Sequence, residues 1–301
     1  MVSIDQIEDP FERYINFLLE RHNIYLKKTR HEPWPWTDDQ TLQDYSFCNV
    51  YREIDKTSIH YQKTVRNRYK EDPIVLPATV LYRWFNRIET CDALFNEPNI
   101  GNKSIFEEYI DRGCKECTFM FEYINNLPQP HVTGAFVING APGVTKGIGV
   151  MVYFHQWCQK PWEAKWNEWL RSPPSLASMY AWLQESSSGL GPFMTAQLVA
   201  DLKYLPFMLN VDDWWRWAAP GPGSQRGLNA VLGRPIHQSW RTEEWLQEIR
   251  ALRDRENGAL AGYGLGPFHA QDTQNHCCEF SKYERARVGL RLKRRYHYHG
   301  Q

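Results

Sequence analysis

Met179-Tyr-Ala-Trp-Leu-Gln-Glu185-Ser-Ser-Ser-Gly189-Leu190-Gly191-Pro192-Phe193 carries the strongest structural signal in the chain. Apolar residues at helical spacing up to Glu185 run into a serine- and glycine-rich turn. The proline at position 192 then opens a second helix. Backbone N–H groups at such a helix start point outward and attract an anion such as a phosphate. An ordinary packing corner between two helices has the same Gly-x-Gly, so the pair alone does not choose between these readings.

Helical signals continue toward the N-terminus. Asp9-Pro10-Phe11-Glu12 supplies an N-cap, a proline at the first helical position and a capping-box acid. Phe11, Tyr14, Ile15, Leu18, Leu19 and His22 then recur at helical spacing to about Tyr25. After Pro33-Trp34-Pro35-Trp36, a second capping box of Thr37 and Gln40 predicts a helix through Leu42, Tyr45, Phe47, Cys48, Val50 and Tyr51. A third helix opens at Pro77 and runs through Ile88, and a fourth spans Ile105 to Asn125. Glycine, proline and β-branched residues between His131 and Val152 predict a loop or short hairpin. Within it, Thr145-Lys146-Gly147 departs from the Gly-x4-Gly-Lys-Ser/Thr order of a phosphate-cradling loop, which argues against a nucleotidase. Helical signals return at Phe154, with Trp157, Trp162, Trp166 and Trp169 read as core and a minority of the tryptophans available to stack on bases. The expected organisation is a helical part (1–130), a small β/loop insertion (131–152) and a hairpin-bearing part (153–301) within a mainly α fold.

Composition narrows the function. The 301 residues, 42% apolar and 14% aromatic, build a core and exclude a disordered chain. Thirty-five basic residues balance thirty-five acidic ones, so a polyanion must be met by a local patch. Ser281 to Gln301 offers one, with seven Lys/Arg opposed by Glu284 alone. The absence of an apolar run of ~20 residues and the acids within Met1 to Asp9 lead us to expect a cytoplasmic protein with no membrane partner. The seven cysteines do not form a secreted disulfide framework. Cys114-Lys-Glu-Cys117 has zinc-ligand spacing, but the adjacent Cys277 and Cys278 make a poor second pair, so core thiols are expected and no metal site is assigned.

Downstream of the hairpin, Val211-Asp212-Asp213-Trp214-Trp215 places Asp212 twenty-one residues after Gly191. This arrangement resembles the helix-hairpin-helix DNA glycosylases, where a Val-Asp at about this distance carries the catalytic carboxylate. Phe193 stands where lyase-type members have a nucleophilic lysine, so Schiff-base chemistry is not expected there. A resemblance covering most of the chain rests on Pro35-Trp36-Thr37-Asp38, Phe47-Cys-Asn49-Val-Tyr-Arg52-Glu53-Ile-Asp55, Arg83-Trp-Phe-Asn86-Arg87, Gly189-Leu-Gly191-Pro192-Phe193, Ala200-Asp201-Leu202, Gly221-Pro222-Gly223-Ser-Gln-Arg226-Gly227 and Cys278-Glu279-Phe-Ser-Lys282-Tyr-Glu-Arg285. In these motifs the chain is similar to the α-glutamyl/putrescinyl thymine pyrophosphorylase family of bacteriophage thymine hypermodification. The fold of that family also occurs as the helical domain of 5-hydroxymethyluracil DNA kinases. The resemblance implies a helix-hairpin-helix glycosylase-like helical fold. It also implies an amino acid:DNA transferase that replaces the pyrophosphate of 5-pyrophosphorylated hydroxymethyluracil with an amino acid or amine, working beside such a kinase.

That chemistry assigns roles. A base in duplex DNA must be flipped or already open to be reached. The backbone beside it is held, on this reading, by Gly189 and Gly191, by Gly221 and Gly223 with Arg226, and by the tail around Arg294. A departing pyrophosphate calls for cations and amides. Asn49, Arg52 and Lys56 are expected on one helix face, Arg83, Asn86 and Arg87 on another, and Lys282 on a C-terminal helix. The attacking amine needs a carboxylate base, with Asp212 or Asp213 first by position and Asp201 or Glu279 next. Mg²⁺ suits a pyrophosphate, although the sequence marks no ligand set for it. Base excision at C1′ and a non-catalytic DNA-delivering module are the alternatives.

Overall fold

Pro10 opens a long first helix, as its position one residue after Asp9 predicts, and basic Lys27 and Lys28 in the last turn suit the negative end of the helix dipole. The structure, a computed structural model, describes residues 9–96, 98–100, 102–115, 118–134, 140–186, 189–290 and 292. They are mainly helical and fall into two compact units, one within Met1–Asp55 and Trp215–Gln301, the other within Lys56–Trp214. Arg291, Arg294, Arg295, Cys117, Val137, Ile138, Ser187 and Ser188 lie outside the described residues.

The first unit begins with α1 (Pro10–Thr29) and the short α2 (Gln40–Asp44). The chain then builds the second unit from α3 (Lys56–Tyr61), a π-turn (Gln62–Arg66), α4 (Asn67–Tyr69), α5 (Val75–Phe85), α6 (Ile88–Phe95), a small antiparallel pair β1 (Pro98–Ile100) and β2 (Lys103–Ser104), α7 (Ile105–Asp111), α8 (Thr118–Asn126), α9 (Lys146–Cys158), α10 (Trp162–Arg171), α11 (Leu176–Ser186) and α12 (Pro192–Leu202). It returns to the first unit as α13 (Pro222–Val231), α14 (Thr242–Ala261) and α15 (Ala270–Arg287).

Several sequence expectations need correction. The second helix stops at Asp44, because its N-cap is Asp39, whose carboxylate accepts from Leu42 N–H, and Tyr45 already has extended backbone. Thr37 instead donates to Glu20 on α1. Asn49, Arg52 and Lys56 therefore share no helix face: Asn49 lies in the segment after α2, Arg52 in a 3-10 turn (Arg52–Ile54), and Lys56 starts α3. The third helix ends at Phe85 because Asn86 takes the left-handed conformation that caps it, and Arg87 belongs to the start of α6. The predicted fourth helix is two, α7 and α8. The glycine-rich segment becomes helical from Lys146, where Thr145 caps α9. Gly147 and Gly149 serve close packing: an added Cβ would lie 2.3 Å from His131 Nδ1 in one case and 2.7 Å from the Ala141 amide nitrogen in the other.

The core of the first unit joins Tyr14, Phe17 and Leu18 of α1 to Ile249 and Leu252 of α14 and Phe280 of α15. α13 crosses α15 with no room between their backbones. A Cβ at Gly227 would sit 1.8 Å from the Cys277 carbonyl oxygen, and one at Gly223 would sit 2.5 Å from Cys278 Sγ. Glu256 of α14 is fully buried among polar partners: Tyr14 and Thr273 donate their hydroxyls to it, and His276 lies 3.4 Å away while its other ring nitrogen meets the Val50 carbonyl at 2.7 Å. Burial and this carboxylate push the Tyr14 hydroxyl well above its ordinary range. In the second unit, Trp157, Trp162, Trp166 and Trp169 are buried, as read from their spacing.

Candidate functional site

The loop between α2 and the 3-10 turn forms one wall of a cavity in the first unit. The cavity volume is about 150 Å³, enough for a small planar molecule. Its aromatic lining comes from Tyr25, Trp34, Trp36, Tyr45 and Phe47, and its polar lining includes Arg21, Lys28, Gln43 and Asn49. Trp36 is placed by the chain that leaves α1: Lys27 donates to the Trp36 carbonyl at 2.8 Å, and the Trp36 indole N–H donates to the Glu32 backbone carbonyl at 2.8 Å. Lys28 lies 4.6 Å from the Trp36 ring centroid, and burial holds its ammonium below the usual lysine range.

Arg21 is the central polar group of this wall. It is only 4% exposed. Its Nε and Nη2 donate to the Cys48 carbonyl, and Nη2 also reaches the Asn49 carbonyl at 2.9 Å. Nη1 is buried and has no hydrogen-bond partner. The ring of Phe17 lies 5.0 Å from the guanidinium carbon.

Behind the same loop stand two carboxylates and an ammonium. Glu279 of α15 accepts the Cys48 amide at 2.9 Å and lies 3.2 Å from the Lys282 ammonium, which also donates to the Ser46 carbonyl and sits 4.4 Å from the Phe47 ring centroid. Asp55 accepts the Asn49 amide at 2.9 Å. Burial pushes the Asp55 carboxyl up to about 6, against the opposing pull of that hydrogen bond and of Arg21 and Arg52. Neighbouring Glu279, followed by burial, raises the Cys48 thiol well above its ordinary range, so this cysteine stays protonated and a poor nucleophile at neutral pH. Asp55 is not itself a lining residue of the cavity; it reaches the cavity wall through the Asn49 amide, and a carboxyl poised near neutrality is suited to proton transfer.

The structure thus gathers Asn49, Glu279 and Lys282 around one loop, with Arg52 in the turn that follows it. Arg226 of α13 also lies in the first unit, close enough to act electrostatically on Cys278. Gly221 is the N-cap of α13, and Gly223 is the close-packing position against Cys278.

The other candidates belong to the second unit. Arg83 and Asp201 form a two-armed ion pair linking α5 to α12, with Nη2 to Oδ1 at 2.8 Å, and are 1% and 0% exposed. The remaining Arg83 fork reaches Asn86 Oδ1 at 2.9 Å. Arg87 is partly exposed and lies 3.3 Å from Glu89. α11 ends at Ser186 and α12 starts at Pro192 with Gly191 as N-cap, so the helix–turn–helix placement read from the sequence is present locally. Gly189 packs under the Tyr153 ring, where a Cβ would approach to 2.8 Å, whereas a Cβ on Gly191 would meet open space. Asp213 accepts the amides of Leu176 and Ala177 at 2.8 and 3.1 Å and so caps the start of α11, while Asp212 is exposed.

Sequence reasoning missed Arg21, Lys28, Trp34 and Asp55 as site residues. Trp36 and Asp55 stand inside quoted motifs, which was the available signal; Arg21 reads as one more polar position on an amphipathic helix. Among the described residues no cluster of His, Cys, Asp and Glu is placed to hold a metal ion, and no helix is long and apolar enough to cross a membrane.

Comparison with known proteins adds a family. Residues 8–290 match the family described as the helical domain of 5-hmdU DNA kinase. A 5-hmdU DNA kinase of Bacillus phage SP10 is 24% identical, over 91% of this chain and 44% of the relative. The chain therefore spans less than half the length of the curated relative it matches. No solved structure matches.

Proposed function

The chain belongs to the family of the 5-hmdU DNA kinase helical domain, and from that premise we propose that it is a transferase acting on 5-hydroxymethyluracil in DNA. Its substrate is the 5-pyrophosphorylated base, and its co-substrate is an amino acid or amine. The nitrogen of the amine attacks the methylene carbon attached to C5, the carbon–oxygen bond to the pyrophosphate breaks, and the pyrophosphate leaves with the electron pair. The ammonium proton of the incoming amine goes to a carboxylate.

The observation that carries this reading is the loop of Ser46 to Asn49. It walls an aromatic cavity on one side and is held by Glu279, Lys282 and Asp55 on the other. Asp55, with its carboxyl at about 6, suits removal of the amine proton. Glu279 is the other candidate base of this unit. Asn49, Arg52 and Lys282 are proposed to steady the phosphates, where charge-assisted hydrogen bonds strengthen as the leaving group gains charge. Tyr25, Trp34, Trp36 and Phe47 are suited to stack on an extruded pyrimidine. The start of α12 at Gly191, with Phe193 half exposed beside it, and Arg226 on α13 are proposed contacts to the DNA backbone.

A second reading is favoured by one observation: the match is to a helical domain within a longer kinase. On that reading the chain delivers DNA to a catalytic partner. Incubation with duplex carrying ³²P-pyrophosphorylated 5-hydroxymethyluracil separates the two. Release of labelled pyrophosphate that requires an added amine supports transfer. Tight DNA binding without amine-dependent release supports delivery alone.

A further inference from the structure

We propose that Cys114 and Cys158 of the second unit form an oxidative modification site, at which a hydroperoxide converts the two thiols to a disulfide joining the end of α7 to the end of α9. The chain turns back after α7 through Gly113 and Cys114, whose φ values of +66° and +56° are both left-handed. Glycine takes that conformation freely and cysteine rarely, so the surroundings must hold Cys114 in place. Gln159, the C-cap of α9, donates its side-chain amide to the Cys114 carbonyl at 3.2 Å, and the Tyr109 hydroxyl lies 3.4 Å from the same oxygen. The thiols of Cys114 and Cys158 hydrogen-bond to one another. Tyr109 also reaches the Cys158 thiol and lies 2.8 Å from His155 Nδ1.

Place and chemistry separate this pair from the other described cysteines. Cys91 and Cys277 are fully buried. Cys114 and Cys158 are 3% and 6% exposed and sit directly beneath the surface, the first between exposed Gly113 and Lys115, the second just before exposed Gln159. The hydrogen bond with Cys158 holds the Cys114 thiol below its ordinary range, while burial, followed by that bond, raises Cys158. Cys48, Cys91, Cys277 and Cys278 are all raised. Cys114 is thus the attacking thiolate and Cys158 the resolving thiol. The Cys114 sulfur takes one peroxide oxygen, the O–O bond breaks, and the departing alkoxide or hydroxide collects the proton that Cys114 gave up, leaving a sulfenic acid. The Cys158 sulfur then attacks the sulfenic sulfur, the S–O bond breaks, and the hydroxyl leaves as water with the Cys158 proton. The two thiols are oxidised and the peroxide is reduced. This site is independent of the transferase reading.

Treatment of the reduced full chain with hydrogen peroxide, followed by alkylation of the remaining thiols and mass spectrometry of tryptic peptides, tests the site. Lys115 lets trypsin separate Cys114 from Cys117. The expected result is a linked pair of peptides containing Cys114 and Cys158, formed at least tenfold faster than oxidation of any other cysteine and reversed by dithiothreitol. In Cys158→Ser, oxidation of Cys114 should stop at a sulfenic acid that dimedone traps. In Cys114→Ser, Cys158 should react with peroxide at least tenfold more slowly than Cys114 does in the wild type. If a serine variant does not fold, the peptide map of the wild type decides alone. Linkage of Cys114 to Cys117 in place of Cys158, faster oxidation of another cysteine, or full alkylation of both Cys114 and Cys158 after peroxide treatment overturns the proposal.

Discussion

Gly227 of α13 and the Cys277 carbonyl of α15 are in direct contact: the place a Cβ would occupy at position 227 is 1.8 Å from that oxygen. The glycine is required by a helix crossing. Because both neighbours are backbone, neither yields to a side chain. Gly227→Ala is expected to destabilise the protein by about 3 kcal/mol or more, at or beyond the upper end of overpacking costs, as measured by urea denaturation. Gly233→Ala serves as a control for local backbone strain, since its Cβ would meet open space but its φ is +65°.

Arg83 and Asp201 form a buried ion pair, so each variant that removes one partner leaves the other's charge in the core without its counter-charge across the pair. Asp201→Asn is expected to cost about 3–5 kcal/mol and to lower Tm accordingly. Replacing both residues with apolar ones of similar size should recover much of that loss, which a double-mutant cycle would reveal.

Glu256 accepts the Tyr14 and Thr273 hydroxyls inside the first unit. Glu256→Ala strands both donors in the core, and a loss of several kcal/mol is expected. Glu256→Gln, which keeps an acceptor oxygen, should be milder. Thermal denaturation of the two variants side by side gives the ranking.

Asp55 has its carboxyl raised from the ordinary 3.8 to about 6 by burial. The sign for stability follows directly: the folded state holds this proton more tightly than the unfolded chain. The favourable contribution of Asp55 is therefore complete below about pH 4 and disappears as pH rises to about 6. Asp55→Asn should flatten the stability profile across that window. Catalysis by an ionised Asp55 runs the other way, with transfer rising through about pH 6 in the wild type and losing that inflection in Asp55→Asn.

Much of the architecture was legible from helix signals. Pro10 and Pro192 each mark a helix start, and the spaced tryptophans after Phe154 lie in the core, whereas Gly221-Pro222-Gly223, read as a loop, opens α13. The expectations that failed share one physical origin, which is that local patterns do not reveal what packs against them. Gly147 and Gly149 read as turn formers, yet they admit His131 and Ala141 into α9 and its surroundings. Arg83 and Asn86 read as part of one phosphate-binding helix face with Arg87, yet the arginine is buried against an aspartate 118 residues away in sequence. In the candidate site, Asn49, Glu279 and Lys282 were marked by motifs. Arg21 was not, because its role depends on the carbonyls of a loop 27 residues later turning toward it.

The most direct test of the account is mass spectrometry of nucleosides from DNA carrying 5-pyrophosphorylated hydroxymethyluracil, after incubation with the chain and a mixture of ¹⁵N-labelled amino acids and amines. The account predicts a new nucleoside in which the labelled nitrogen is bonded to the C5 methylene, formed by the wild type at pH 7.5 and reduced at least a hundredfold in Asp55→Asn. Recovery of unmodified nucleosides only, or of free base with an abasic site, would contradict it.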